Sequence, residues 1–580
     1  MSSLKWIFGY LKKYKIKYGI ALLFVLFTSV INMVNPFLSG TIVDKVIGGG
    51  EVNLLIPILL TMIFIVVFKG FICYAYQMIF EKISQDILLK IREDLYTKLL
   101  NLDFKFYNKC KTGDIMARMT GDTDAIRHFI AWVVYNILSS ISIFLFAIIS
   151  MSYVSFKLTV FMLLVCPIIA YLTYKMSQDI APTFHNVREA YSTLNSVVQE
   201  NISGNRVVRA FCRENFEIEK FTKENLNYKE RNLDTIRVTQ KYIPKLEFFS
   251  NSLNVVMILA GGLLVINKSI TLGDLIIFNN LLWALNNPMR MCGYLINDTQ
   301  RFIASSAKIR ELLQTESDIK NKEEVKTLDN IKGNIIFDNV SFKLDGKYIL
   351  KNISFEIKSG ETVGVVGHTG AGKSTIINLL SRFYDPTEGN IYLDGVNIKE
   401  IDLDTLRGAI GTAMQDIFLF SDTIKDNISY GVPEASIDEI KETAKVSQAD
   451  GFIRKLEDGY DTVVGERGIG LSGGQKQRIS LARAIIKKSP VFILDDVTSA
   501  VDMETEKKIQ KELKNMEDKR TTFIIAHRIS SVRQADLILV LNNGEIIERG
   551  THDELIKDDG YYKKIFKTQY GDLERDKEVV

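Results

Sequence analysis

The sequence predicts two fused parts, an α-helical domain that spans a membrane and a soluble α/β domain. Long apolar runs crowd roughly the first 300 residues of the 580-residue chain, whereas from Ile331 short strand-like runs such as NIIFDNVSF and TVGVVG alternate with helical patterns. The charges nearly balance, with 72 Lys and Arg against 69 Asp and Glu. The chain therefore lacks the excess of basic residues that would indicate nucleic acid as a partner. The five cysteines lack C-x-x-C spacing, which indicates neither a zinc site nor a disulfide framework.

Six apolar segments in the first half are long enough to cross about 30 Å of hydrocarbon. They lie near residues 18–40, 54–80, 130–152, 156–176, 245–266 and 272–292. Before them, SLKWIFGYLKKYKIK lacks a signal-peptide pattern and predicts an amphipathic helix on the cytoplasmic face, with Trp6, Ile7 and Leu11 in the interface. The lysines at the end of this stretch, and the scarcity of basic residues in the loops assigned outside, agree with the positive-inside rule. These lysines are Lys12, Lys13, Lys15 and Lys17.

The predicted cytoplasmic loops are long. Between spans two and three an apolar residue recurs every fourth position, which predicts a helix that continues well beyond the bilayer, at Ile83, Ile87, Ile91, Leu95 and Leu99. A similar segment follows span four and includes a turn centred on Gly204. We therefore expect a membrane domain over residues 1–314, a polar linker over 315–330, a soluble domain over 331–575 and a tail over 576–580.

The stretch GHTGAGKST follows one of the apolar strand-like runs and precedes a helical pattern. In this context the glycines let backbone N–H groups close around phosphate oxygens, and the start of the helix adds its positive dipole. The lysine can reach the β and γ phosphates and the serine hydroxyl can bind Mg²⁺. The predicted nucleotide-binding residues are Gly367, His368, Thr369, Gly370, Ala371, Gly372, Lys373, Ser374 and Thr375.

The stretch VFILDDVTSAVD places two adjacent carboxylates directly after a short apolar strand. Such a position at the carboxyl end of a strand faces the crevice where α/β sheets bind ligands. A P-loop site needs an acid from a neighbouring strand to hold Mg²⁺ through water, and Asp495 fits that role. Asp496 would then lie beside the γ phosphate, where a base can orient or deprotonate the attacking water.

A further cluster, LSGGQKQRISLARAI, places a second possible anion site at the start of a helix. Together the motifs resemble those of ATP-binding cassette transporters, specifically exporter half-transporters with a membrane domain ahead of one cassette. The resemblance covers essentially the whole chain, and the motifs follow the family's order. They are the Walker A loop at 367–375, Gln415 in AMQDIFLFSDTI, TVVGERG at 462–468, LSGGQ at 471–475, the Walker B strand ending at Asp495, the D-loop SAVD at 499–502, and His527 in IIAHR.

The resemblance implies a type I exporter fold in which two chains pair, so that two ATP molecules with Mg²⁺ lie between facing cassettes. Gln415 would bind Mg²⁺ and sense the membrane domain, His527 would hydrogen-bond the γ phosphate, and loop tips near 109–118 and 198–206 would seat on the cassettes. The signature would contact the ATP of the partner, and the D-loop would report across the dimer. These residues are Leu471, Ser472, Gly473, Gly474 and Gln475, and Ser499 and Asp502.

The chain departs from the family pattern at two positions. Asp496 stands where efficient members carry Glu, and the shorter side chain withdraws the carboxylate by about 1.5 Å. A misplacement of about 1 Å can cost on the order of 100-fold in rate. Leu344 stands where many relatives have a tyrosine that stacks on adenine, and Tyr348 is close but out of register.

These departures leave two arrangements open. The resemblance is close to heterodimeric exporters, in which one chain supplies a degenerate ATP site and an intact signature for the competent site of the partner. The other arrangement is a homodimer in which Asp496 works as a slow base and Leu344 is a neutral replacement.

The resemblance favours ATP-driven export of amphipathic small molecules, as in multidrug exporters, from a cytoplasmic membrane with the amino terminus and the cassette inside. Lipid flipping, or regulation by ATP binding without transport, are alternatives. Polar residues within the spans either line a cavity or bond between helices. Lys69, deep in span two, either snorkels to the inner interface or pairs with an anionic substrate or a buried carboxylate.

Overall fold

In the computed structural model the described residues are 3–322, 325–328, 330–465, 468, 470–497, 501–515, 520–526 and 528–571. They form two compact units. One comprises Met1–Leu100 and Lys111–Thr315, and the other comprises Asn101–Cys110 and Glu316–Val580. The change of unit at Thr315 lies where the sequence becomes polar, since the last long helix ends at Gln314 and the next strand begins at Ile335.

The first unit is built of helices joined by short turns and π-helical segments. Its helices are α1 (Ser3–Leu11), α2 (Lys15–Ile31), α3 (Val34–Thr41), α4 (Leu55–Leu100), α6 (Thr112–Ala117), α7 (Thr123–His128), α8 (Val134–Val154), α9 (Phe156–Leu163), α10 (Cys166–Ser203), α11 (Asn205–Ala210), α12 (Glu214–Ile266) and α13 (Leu272–Gln314). The intervening α5 (Phe104–Lys109) belongs to the second unit.

Five helical stretches among the described residues are long and apolar enough to cross a membrane. They are Ser3–Gly48, Val52–Leu100, Thr112–Val154, Phe156–Ser203 and Glu214–Ile266. Each contains one of the first five predicted spans. The sixth predicted span lies in α13, which is helical over 43 residues but does not reach the same hydropathy, because Asp274 and four asparagines interrupt its apolar part.

The helix α4 confirms the predicted extension of span two. It runs without a break for 46 residues. Each of the five apolar residues spaced four apart is buried, so this stripe packs inside the unit while the charged residues between them remain outside. The α1 helix differs in detail from the prediction. Ile7 and Leu11 are buried within the protein rather than free to enter the interface, and Leu4 and Phe8 are the exposed apolar side chains.

The start of α13 and the end of α3 approach closely. A Cβ atom on Gly273 would come within 2.4 Å of the Gly40 carbonyl oxygen, so a side chain there would force the two helices apart. Asp44 caps the start of α13, because its Oδ1 accepts from Gly273 N at 2.7 Å and its Oδ2 accepts from Thr271 Oγ1 at 2.6 Å. This contact ties the segment after span one to the beginning of the predicted span six.

Among its described residues, the second unit has ten strands in two sheets. The strands are β1 (Ile335–Leu344), β2 (Lys347–Ile357), β3 (Thr362–Gly367), β4 (Glu388–Leu393), β5 (Val396–Asn397), β6 (Ile410–Ala413), β7 (Val491–Asp495), β8 (Thr521–Ile525), β9 (Leu537–Asn542) and β10 (Glu545–Gly550). An antiparallel sheet has the order β2-β1-β4-β5, and a six-stranded sheet has the order β10-β9-β3-β8-β7-β6. Within the larger sheet, β9, β3, β8, β7 and β6 run parallel.

The helices of the second unit are α5 and those that follow β3, several of which have six residues or fewer. The bounds of the later helices are α14 (Lys373–Leu380), α15 (Leu403–Gly408), α16 (Ile424–Ser429), α17 (Ile437–Val446), α18 (Asp450–Ile453), α19 (Gly473–Ile485), α20 (Met503–Asn515), α21 (Ile529–Val532), α22 (His552–Lys557) and α23 (Tyr561–Tyr570). The apolar residues of β3 and β7 are buried, as expected for parallel strands covered on both faces.

Candidate nucleotide site

The predicted phosphate loop connects β3 to α14. Gly370 has a φ of +83° and Gly372 a φ of +99°, and residues with side chains rarely adopt this left-handed region. A Cβ on Gly372 would also come within 2.6 Å of Leu350, so glycine is required there for conformation and for space. The loop therefore has the strand, turn and helix start that a bound phosphate group needs.

Lys373 lies inside this loop. Its Nζ donates to the carbonyl oxygens of Gly367 at 2.8 Å and His368 at 3.0 Å, and the residue is only 6% exposed. Burial lowers the pKa of Lys373, while the charges of Asp495 and Asp496 act in the opposite direction. Because both carboxylates influence this ammonium, the lysine and the two aspartates belong to one site.

The sheet register explains why the two aspartates lie near the phosphate loop. In β8, Ile525 pairs with Val365 of β3 on one side and with Asp495 of β7 on the other. The carboxyl ends of these three parallel strands therefore lie at the same edge of the sheet. His527, the predicted γ-phosphate ligand, comes two residues after Ile525 in sequence but lies outside the described residues.

Asp495 and Asp496 differ in backbone conformation. Asp495 is the last residue of β7, whereas Asp496 has a φ of +50° and its N–H donates to Ile525 O at 2.9 Å. Aspartate tolerates the left-handed region better than most residues do. The turn at Asp496 ends the strand, so the two adjacent acids occupy different kinds of position and can serve different roles.

Gln415 follows the edge strand of the same sheet. In β6, Ala413 pairs with Leu494 of β7, and Gln415 is exposed two residues beyond it. Ser374, Asp495 and Gln415 offer hydroxyl, carboxylate and amide oxygens, which are the ligands that Mg²⁺ prefers. This set of donors fits a nucleotide with its magnesium ion.

The signature segment begins the helix α19. Ser472 is the N-cap, with its Oγ accepting from Gln475 N at 3.3 Å, while Ser472 N donates to Gln475 Oε1 at 2.8 Å. Gly473 and Gly474 form the first turn, and Leu471 packs against a buried apolar cluster. The segment thus begins a capped helix at Gly473, and its role as a second anion site stays a prediction.

The D-loop is described only in part, because Ser499 lies outside the described residues. Asp502 caps α20 by accepting a hydrogen bond from Thr505 N at 2.9 Å. This hydrogen bond is the main cause of the lowered pKa of Asp502. Asp502 therefore has a structural role within its own chain in addition to the role that the family resemblance implies.

The structure separates the two candidate adenine contacts. Lys343 pairs with Tyr348 across the β1–β2 hairpin, and Leu344 pairs with Lys347, so Leu344 and Tyr348 lie on opposite faces. Leu344 packs against the core, while Tyr348 has the Lys343 ammonium 4.2 Å from its ring centre and donates to Glu388 Oε1 at 3.0 Å. A single adenine ring can therefore stack on only one of the two side chains.

One structurally central residue was not singled out from the sequence. Arg483, in α19, donates from Nε to Asn427 O, from Nη2 to Asn427 Oδ1 and from Nη1 to Phe418 O, each at 2.8 Å. Asn427 is itself 1% exposed and bonds to Phe420 N and O. Arg483 therefore ties the signature helix to the segment that follows Gln415.

Replacing Arg483 with Met is expected to lower the free energy of unfolding by about 3 kcal/mol, because three carbonyl acceptors lose a charged donor. The measurement is the temperature at which the purified full chain loses ATP binding. Arg454→Met is the matched control, since its side chain is 61% exposed and its ion pair with Asp450 spans one helical turn. We expect a change within about 0.5 kcal/mol for this control, and equal shifts for both variants would contradict the assignment.

A short helix from the loop after span two also packs in the second unit. The ring of Phe104 lies 4.6 Å from that of Phe383, and Asn108 Nδ2 donates to Tyr384 OH at 2.8 Å. Lys105 forms an ion pair with Asp318 at 2.5 Å. The segment that belongs to the second unit is Asn101–Cys110, whereas the sequence predicted a loop tip near 109–118. The segment lies mostly before that tip, and so do its aromatic side chains at 104 and 106–107.

The fold and the site define a class of protein, a membrane-spanning helical unit joined to a P-loop domain with a second helix start suited to an anion. A family model described as ABC transporter transmembrane region matches residues 18–289, and one described as ABC transporter matches residues 350–499. The chain belongs to the ABC transporter family. It carries the ATP-binding domain of a transport-coupled ATPase.

Several relatives match over nearly their full length. The uncharacterized ABC transporter ATP-binding protein YknU of Bacillus subtilis (strain 168) is 40% identical, covering 95% of each chain. The ATP-dependent lipid A-core flippase of Syntrophus aciditrophicus (strain SB) is 35% identical over 93% of this chain and 89% of its own. The probable multidrug resistance ABC transporter ATP-binding/permease protein YheI of B. subtilis (strain 168) is 35% identical over 98% and 97%.

A solved structure agrees with these relatives. A bacterial Atm1-family ABC exporter with ATP bound superposes with a TM-score of 0.81 at 29% identity, covering 96% of this chain and 98% of that one. The expected type I exporter fold, a helical membrane domain fused to an α/β nucleotide-binding domain, is confirmed.

Proposed function

We propose that this chain is one half of a dimeric exporter that uses ATP to move amphipathic small molecules across the cytoplasmic membrane. The observation that carries the proposal is the meeting of Lys373, Asp495 and Asp496 at one sheet edge, in a chain whose other unit has five helices suited to a membrane among its described residues. The name of the relative YheI, a probable multidrug resistance transporter, supports this substrate class.

In this mechanism the residues of the P-loop hold the phosphates of ATP. The backbone of the loop would bind phosphate oxygens, Lys373 would neutralise the β and γ phosphates, and Ser374, together with Asp495 through water, would hold Mg²⁺. Gln415 would contribute a further oxygen to Mg²⁺ and would sense the membrane domain. Asp496 orients the attacking water, and the signature that begins at Leu471 contacts the ATP held by the second chain.

We propose further that the second chain is a different one. Asp496 is too short by about one carbon–carbon bond to replace Glu as base, so this chain would supply the slow site. Its signature keeps the sequence LSGGQ with an ordered helix start, and would complete the competent site of the partner. In the homodimeric alternative, Asp496 would serve as a working base in two equal sites.

Lipid flipping is the second candidate function, favoured by the name of the lipid A-core flippase relative. It uses the same ATP site and differs in the molecule transported. The other alternative is a regulatory role without transport, and a transport measurement tests it directly.

The test is ATP-dependent accumulation of an amphipathic dye and of a fluorescent phospholipid in inverted membrane vesicles. The vesicles contain this chain with any second chain captured from its native membrane. We expect dye to accumulate with ATP and not with a non-hydrolysable analogue. Accumulation of lipid alone would favour the flippase, and accumulation of neither would contradict transport.

A further inference from the structure

A cavity of about 280 Å³ lies between the first two spans. Its polar lining comes from Asn32 and Asn35 on one side and from Lys69 on the other, and Ile31, Ile65 and Cys73 are among the remaining walls. Gly70 also lines it. The cavity thus has a small polar patch surrounded by apolar walls, which is unusual between two apolar helices.

Lys69 lies deep within the apolar part of span two. Lys69 lies about 21 Å along α4 from its start at Leu55, using a rise of about 1.5 Å per residue. The next charged residue, Glu81, lies about 18 Å further along the helix by the same rise. A lysine side chain extends by about 6 Å, so the ammonium of Lys69 stays within the apolar stretch between Leu55 and Glu81.

Lys69 also lacks a counter-charge. Across the described part of the chain, its ammonium has no hydrogen-bond or ion-pair partner, and the residues that line the cavity include no carboxylate. Asn35 Oδ1 is buried and accepts no hydrogen bond from any described residue. An ammonium without a counter-charge at membrane depth is costly for the fold, and a bound anion would offset that cost.

We propose that this cavity binds the head of an amphipathic anion. The phosphate or carboxylate of the head would contact Lys69 Nζ, and the head would lie against the side chains of Asn32 and Asn35. The tail would follow the exposed apolar face of α4, where Val66 is 57% exposed. The inference rests on the proposed export function and narrows its substrate class to amphipathic molecules with an anionic head.

The test measures binding to the full chain in phosphatidylcholine nanodiscs without ATP. Dodecyl phosphate is the soluble probe, titrated by calorimetry, and dodecyltrimethylammonium is the probe with the same tail and the opposite charge. A separate preparation contains phosphatidylglycerol, whose retention is followed by native mass spectrometry. The variants are Lys69→Met, Lys69→Arg and Asn35→Leu, and Lys157→Met is the matched control because Lys157 is an exposed lysine at the start of α9.

We expect Lys69→Met to weaken binding of dodecyl phosphate or retention of phosphatidylglycerol by roughly tenfold, because one charge-assisted hydrogen bond is lost. Lys69→Arg should retain most of the affinity, and Asn35→Leu should weaken the retention of phosphatidylglycerol. The cationic probe should bind all of the variants equally. Dependence on Lys69 for phosphatidylglycerol only would identify a lipid as the occupant, and dependence for dodecyl phosphate only would identify a soluble anion. Equal binding by the Lys69→Met and Lys157→Met proteins would overturn the proposal.

A second variant keeps the proposal testable if removal of the lysine prevents folding. A Cβ at Gly70 meets no other atom within 4 Å, so Gly70→Leu extends into open space beside Lys69 and improves helix propensity. It should block the probes while Gly262→Leu, at an equally open helical position, should not. Probe binding is measured without ATP, so a negative binding result contradicts only this inference. A negative result in the vesicle transport test would instead contradict the proposed function.

Discussion

Purified alone, this chain is expected to bind ATP and to hydrolyse it on the order of 100-fold more slowly than when it is paired with a second chain that carries Glu at the corresponding position. The physical reason is the short side chain of Asp496, which leaves the carboxylate about 1.5 Å from the place of a glutamate carboxylate. The measurement is phosphate release in nanodiscs, first with this chain alone and then with the chain that captures it from its native membrane.

Two substitutions at Asp496 separate the possible arrangements. Asn is tolerated in the left-handed region as well as Asp is, so Asp496→Asn removes the charge without disturbing the turn at φ +50°. In the heterodimer, Asp496→Asn should leave the turnover of the pair nearly unchanged. If the chain turns over ATP alone and Asp496→Asn abolishes it, the aspartate is a working base and the homodimer is correct. Activity restored to the single chain by Asp496→Glu would also count against the heterodimer.

Removal of the Lys373 ammonium should have the second large effect. Lys373→Met is expected to weaken ATP binding by roughly 100-fold, since hydrogen bonds from a charged donor to two phosphates are lost together. The variant retains nearly the length of the side chain, and Lys351→Met, at an exposed position of β2, is the matched control. Titration with a fluorescent ATP analogue measures both. Comparable affinity in the two variants would contradict the assigned role.

The pKa of Lys373 gives this prediction a pH dependence. Burial lowers that pKa, and ATP binds to the protonated form. The affinity for ATP should therefore fall as pH rises, and the fall should begin at a lower pH than for an exposed lysine. In the Lys373→Met variant this part of the pH dependence should disappear.

Some features could be predicted from the sequence because they depend on short patterns. The P-loop depends on glycines at set positions between a strand and a helix, and the start of α19 depends on Ser472 and the residue three places later. The apolar residues spaced by four in α4 likewise predicted a helix beyond the membrane. Each of these patterns acts through neighbours in the chain, so the local sequence contains the physical cause.

Other features depend on residues far apart in sequence. The motif around Asp495 predicted its role in the site. The position of Asp495 near Lys373, however, results from the order of β3, β8 and β7 in the sheet. The role of Arg483 could not be read from its own segment, because its acceptors lie 56 and 65 residues earlier in the chain. The same holds for α5, which belongs to the second unit although its sequence lies within the first.

The sequence by itself determined that this protein has membrane-crossing helices, a phosphate loop, two acids after a buried strand and a signature helix, since helix periodicity, glycine geometry and capping act over a few residues. Only the tertiary structure decided that Leu344 and Tyr348 lie on opposite faces of a hairpin, and that Lys69 shares a cavity with Asn32 and Asn35. The register of strand pairing and the packing of helices decide such contacts, and both depend on burial summed over the whole unit rather than on local preference.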